Sequence, residues 1–131
     1  MVATRRMIQT HPISAVREGI VECINACFDC AQICNICADA CLAEPTVANL
    51  TRCIRINLDC YTICLATGTV LSRQTELEPG LLREQLKACI EACRVCATEC
   101  EGHGAHMEHC RICAEQCRHC EAACRDLLDV V

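Results

Sequence analysis

Apolar and small positions along the chain recur in alternating steps of three and four residues, the rhythm that keeps side chains on one stripe of an α-helix. The clearest run is Cys23, Cys27, Cys30, Cys34, Cys37 and Cys41, which continues the phase of Ile13, Val16 and Ile20 before it. A second stripe reads Leu50, Cys53, Asn57, Cys60, Cys64, Thr67 and Leu71. A third reads Leu82, Leu86, Cys89, Cys93, Cys96 and Cys100, and a fourth His103, His106, Cys110, Cys113, Cys117, Cys120, Cys124 and Leu127. In a bundle, such a stripe faces the partner helices, so the thiols point inward. At about 1.5 Å of rise per residue, the first cysteine run alone stacks sulfur along roughly 27 Å of helix.

Pro12, Pro45 and Pro79 each stand just before a stripe. Proline suits a first helical turn, where its missing N–H has no intrahelical partner to lose. Gly102-His103-Gly104 breaks helical continuity ahead of the last cysteine run. The pattern predicts helices over about 12–43, 45–72, 79–101 and 104–128, with 1–11 an N-terminal arm or short extra helix and 12–131 the bundle. Connections this short favour antiparallel neighbours. The fold class expected is therefore all-α, an antiparallel up-down-up-down four-helix bundle with a cysteine-lined core. One end would gather Ile13, Val16, Ile20, Leu71, Leu82, Leu86, Leu127 and Leu128 as an apolar plug. The other would gather Cys41, Cys53, Cys100 and Cys110 beside His103, His106, Met107 and His109, as the way in.

Composition sharpens this picture. The 131 residues suit one domain, yet they include 18 Cys with one Phe, one Tyr and no Trp, too few large side chains for a conventional core. Cysteine packs as a small hydrophobe and contributes less burial than leucine, a deficit that bound metal would make up. The net charge of −5 argues against a nucleic-acid partner, whose phosphates call for Lys and Arg. Thr4 to Gln9 resembles a twin-arginine export signal, but Thr10, His11, Ser14, Arg17 and Glu18 interrupt any apolar segment after it. A cytoplasmic location is expected, and no run is read as a membrane span. In a reducing cytosol, this many cysteines point to metal binding rather than to a disulfide scaffold.

The spacing comprises five CxxC pairs and eight CxxxC pairs interleaved with them. Residues three or four apart on a helix have Cβ atoms about 5–6 Å apart, within reach of one ion. Thiolates are soft ligands for Cu(I), Zn(II) and iron–sulfur clusters, and ionising all of them inside a bundle requires cations to neutralise them. Lys and Arg are absent from the stripes, so the metal must supply the charge. Cu(I) at about one per thiolate leaves a neutral core, whereas a four-thiolate zinc site keeps a charge of about −2. Iron–sulfur spacings and the haem-attaching CxxCH are not found. Multiple Cu(I) ions per chain lead, with a zinc-thiolate buffer or a thiol oxidoreductase as alternatives.

The stripes Cys23 to Cys41, Cys53 to Cys64, Cys89 to Cys100 and Cys110 to Cys124, with the His/Met end, resemble the cytosolic branch of the bacterial copper storage proteins. The resemblance spans Pro12 to Leu128. It implies a four-helix bundle that stores or sequesters Cu(I) along its core without catalysis, and it implies association into homotetramers. Copper-accepting apoproteins would then be partners, with no nucleic acid and no membrane.

Asn57 fills a stripe position where the rhythm predicts cysteine. It either fixes helix register or offers an amide oxygen to metal and thiols. His103 and His106 lie in phase with Cys110 and read as ligands at the way in, with Met107 and His109 flanking the stripe. His11 and His119 read as surface residues.

Overall fold

The computed structural model describes residues 2–13 and 17–131. Among them are helices α1 (Val2–Gln9), α2 (Ile20–Leu42), α3 (Thr51–Ser72), α4 (Pro79–Glu101) and α5 (Glu108–Val130), a 3₁₀ turn at Val47–Asn49, and no strand. Around the bundle, α2 packs on α3 and α5, and α4 packs on the same two neighbours. Cys23 lies against Cys124 and Cys37 against Cys110, so α2 and α5 run antiparallel; Cys53 against Cys100 and Cys64 against Cys89 do the same for α3 and α4. This is the up-down-up-down bundle that the stripes predict.

The helix starts differ from expectation in three places. The first long helix begins at Ile20 rather than near Pro12, because Gly19 turns the chain in the left-handed region at φ 81° and serves as its N-cap. Ile13 is accordingly two-thirds exposed and outside the plug. Val16, the other early plug candidate, lies outside the described residues. Pro45 opens a connection instead of a helix: the chain first closes the 3₁₀ turn, with Leu50 N donating to Val47 O at 2.9 Å, and α3 follows. The last helix begins at Glu108, not near residue 104, since His106 N and Met107 N both turn back onto His103 O and Met107 is extended. Only Pro79 sits where the pattern puts it, at the first turn of α4, with the Glu78 carboxylate accepting from Gly80 N at 3.3 Å.

The interior is assigned by size. Ile20, Leu71, Leu82, Leu86 and Leu127 are buried at one end of the bundle and form the plug, with Leu128 packed partly against it. Ile24 and Ile90 are buried along the sides, while Phe28, Ile54, Tyr61 and Ile63 cover the seams between helices. The arm α1 is tied to α2 by the Arg5–Glu22 ion pair and by buried Ile8. By length and a mean hydropathy of 1.3, α2 is apolar enough to cross a membrane, which the sequence reading did not anticipate. More than half of that stretch is buried inside the bundle, because cysteine and alanine supply the apolarity and face the core.

Close approach of α2 and α3 depends on Gly68. A Cβ there would stand 3.0 Å from Phe28 Cε2, with two further ring atoms almost as near. Gly68→Ala is expected to destabilise the metal-free protein by about 1–3 kcal/mol, an overpacking cost that exceeds the gain in helix propensity. Urea unfolding in excess reductant checks this.

Candidate metal centre

All 18 cysteines are free and buried, with at most 1% of any of them exposed. Because each stripe keeps its phase, the sulfurs of four helices meet on the bundle axis. Neighbouring Sγ atoms stand 3.6–4.0 Å apart, from Cys23···Cys124 at the plug to Cys53···Cys100 near the opposite end. A tetrahedron with metal–sulfur arms of 2.3 Å has an edge of about 3.8 Å, so the spacing is that of ligands poised around an ion.

The sulfurs group into cages whose ligand atoms all lie within 4.8 Å of one another. Counting from the plug, these are Cys27, Cys89, Cys120 and Cys124; then Cys30, Cys64, Cys93 and Cys120; then Cys30, Cys34, Cys60 and Cys117; then Cys34, Cys96, Cys113 and Cys117. A further group at the far end joins Cys37, Cys41 and Cys110 to His109. Successive inner cages share sulfurs, so the core is a continuous ladder rather than a row of isolated sites.

Asn57 interrupts the ladder, fully buried between the fourth cage and the far end. Its Nδ2 donates to the Cys53 carbonyl at 2.8 Å and points at Cys53 Sγ and Cys100 Sγ, at 3.4 and 3.5 Å. Its Oδ1 accepts from Cys113 Sγ at 3.0 Å and from Cys96 Sγ at 3.4 Å. The carboxamide therefore links α3, α4 and α5 and presents its oxygen to the inner thiols. The register reading and the thiol-contact reading describe the same side chain.

At the far end, the structure separates the four residues that the sequence placed there. His109, in the first turn of α5, aims Nδ1 at Cys37 Sγ (3.4 Å) and Cys110 Sγ (3.7 Å), while its Nε2 meets Glu44 Oε1 at 3.1 Å. His103 instead turns its Nε2 to Glu99 at 3.4 Å, and His106 is exposed. Their phase with Cys110 was extrapolated through residues that are not helical. Met107 is nearly buried and, with Leu50, forms the floor of a cleft of about 390 Å³ also lined by Glu44, His103 and His106. Sequence reasoning missed Glu44, whose only signal was its place in the loop that the topology brings beside the histidines. His119 is exposed, as read, and His11 sits by α1, where its Nδ1 accepts from Ile13 N.

Burial without a compensating cation disfavours the thiolate at Cys41 and Cys110. Desolvation pushes Cys41 up and Cys110 up to about 12. Among the described residues, no lysine or arginine is buried in the core to reverse this. The arginines pair at the surface instead, Arg118 with Glu101 and Glu121, and Arg111 with Glu108 and Glu115.

A four-helix bundle whose axis is a ladder of buried thiols, with a histidine and a carboxylate at one end, defines a soft-metal binding protein. More particularly, the chain belongs to the copper storage protein family, whose family model matches residues 16–129. The copper storage protein Ccsp from Streptomyces lividans, loaded with 10 copper equivalents, is 46% identical over 98% of this chain and 99% of its own, with a TM-score of 0.95. A five-copper structure of that cytosolic protein is 52% identical over 86% and 93%, with a TM-score of 0.84. The Cu(I)-bound copper storage protein BsCsp3 is 32% identical over 83% and 97%, with a TM-score of 0.72. The uncharacterised cysteine-rich protein YhjQ of Bacillus subtilis (strain 168) is 36% identical over 80% of this chain and 92% of its own.

Two expectations follow from the geometry. Asn57→Ala strips an acceptor from two buried thiols and a cross-link from three helices, and should lower the stability of the metal-free protein by about 1–3 kcal/mol in urea unfolding. Burial pushes the Cys110 thiol up to about 12, so a metal ion that binds there must displace its proton. Metal affinity should fall as pH falls, with protons released on binding, as unbuffered titrations followed with a pH indicator will record.

Proposed function

We propose that this protein stores and sequesters many Cu(I) ions, holding them on the thiolates of all 18 cysteines: Cys23, Cys27, Cys30, Cys34, Cys37, Cys41, Cys53, Cys60, Cys64, Cys89, Cys93, Cys96, Cys100, Cys110, Cys113, Cys117, Cys120 and Cys124. The observation that carries this reading is the ladder of shared sulfurs. Soft thiolates suit Cu(I), which accepts two or three sulfurs and leaves the core neutral at about one ion per thiolate. Ions load at the end where His109 bridges Cys37 and Cys110 to Glu44. The imidazole is an acceptor for the displaced proton or a ligand to the arriving ion, and Glu44 holds its ring in place. Met107, His103 and His106 line the cleft above and offer transient thioether and imidazole donors. Asn57 offers its carboxamide oxygen where the ladder lacks a sulfur.

The role is storage without catalysis. Redox catalysis needs a reactive thiol that substrate can reach, and here every thiol is buried. The protein works in the cytoplasm, a reading supported by the cytosolic Streptomyces relative. It assembles as a homotetramer and passes copper to apoproteins; exposed Ile36, Leu58, Leu65 and Ile112 are among the apolar side chains available for self-association.

Anaerobic titration of the reduced protein with Cu(I), against a chromophoric chelator, tests the reading. Saturation near one ion per cysteine is expected. Saturation at about four or five ions, the number that separate four-sulfur sites would hold, defeats it.

A further inference from the structure

The third and fourth cages share two sulfurs, Cys34 and Cys117, whose Sγ atoms stand 3.7 Å apart. The other neighbouring inner cages share one, Cys120 or Cys30. Two tetrahedra joined along an edge bring their centres close together. Ions placed 2.3 Å from both Sγ atoms of this 3.7 Å edge lie at most about 2.7 Å from each other. Repulsion between two divalent ions at that distance is fourfold that between two monovalent ions, in a buried site without water to screen it.

We infer that the Cys34–Cys117 edge is a charge filter that sets the metal specificity of the core: divalent thiophilic ions such as zinc enter the ladder but occupy only one of the two cages on this edge, whereas monovalent ions fill both. The inference rests on the storage reading and deepens it. Zinc sits in isolated four-thiolate sites, stops short of filling the core, and leaves the remaining thiols protonated. Cu(I) carries half the charge, makes do with fewer sulfurs per ion, and continues along the ladder. Selectivity then arises from how cages adjoin, not from the ligands of any single cage, which are all thiols.

The filter makes an either-or prediction. Cys60 of α3 belongs to the third cage and not the fourth, and Cys96 of α4 to the fourth and not the third. If one zinc ion serves both cages, losing either cage alone costs nothing. Native mass spectrometry of the reduced full-length chain with zinc(II) alone should give the same count for wild type, Cys60→Ser and Cys96→Ser, and one ion fewer for the double variant. Far-UV circular dichroism confirms that each variant is folded, and the wild-type count alone must stay near four or below. Single variants that each lose one zinc ion overturn the filter, as does a double variant that keeps the full count. Cu(I) capacity reports separately: saturation of the wild type at about four or five Cu(I) ions defeats storage itself, whatever zinc does.

Discussion

Four helices bring sulfur within 4 Å of sulfur only when nothing larger than a thiol stands between them, and that spacing governs the rest of the molecule. Alanine flanks the ladder at Ala26, Ala31, Ala38, Ala97 and Ala114, and Gly68 lets the Phe28 ring lie directly on α3. Large side chains gather at the ends, Ile20, Leu71, Leu82, Leu86 and Leu127 at one and Leu50 and Met107 at the other, and elsewhere stand beside the ladder, as Ile24 and Ile90 do, rather than in it. Apolar burial per residue is consequently lowest in the middle, where a thiol replaces what would be leucine. The metal-free bundle is held together from its ends, with the Asn57 carboxamide as a polar tie between them.

Charge obeys the same partition. The arginine–carboxylate pairs stand outside, while the core holds thiols whose anionic form needs a cation to neutralise it. The cargo is thus its own counter-ion. The divalent/monovalent distinction drawn at Cys34 and Cys117 is this rule at its tightest point, because there the spacing that collects ions also forces them together.

The stripes were legible in the sequence because periodicity is a property of the backbone. Cysteine at alternating steps of three and four has no other way to be buried, so the bundle, its handed-down topology and its plug residues Leu71, Leu82 and Leu127 follow from spacing alone. What failed was local and conformational. Pro12 and Pro45 are compatible with a first helical turn without requiring one, and Gly19, unremarked in the sequence, sets the start of α2 through its left-handed φ. His103 and His106 carried the right phase on a stretch that does not continue the helix, whereas His109, off the stripe, reaches Cys37 across the α2–α5 seam. The contact between His109 and Glu44 joins the first turn of α5 to the connection after α2, and no spacing within one helix encodes it.

The plug has a kinetic meaning for whatever the tube contains. Leucine and isoleucine close one end of the sulfur ladder, and the cleft lined by Leu50 and Met107 stands at the other. On the proposed loading route, an ion held at the plug has the whole ladder to cross before it leaves. Ions beside Cys110 would then exchange with the surroundings first, and those beside Cys23 last.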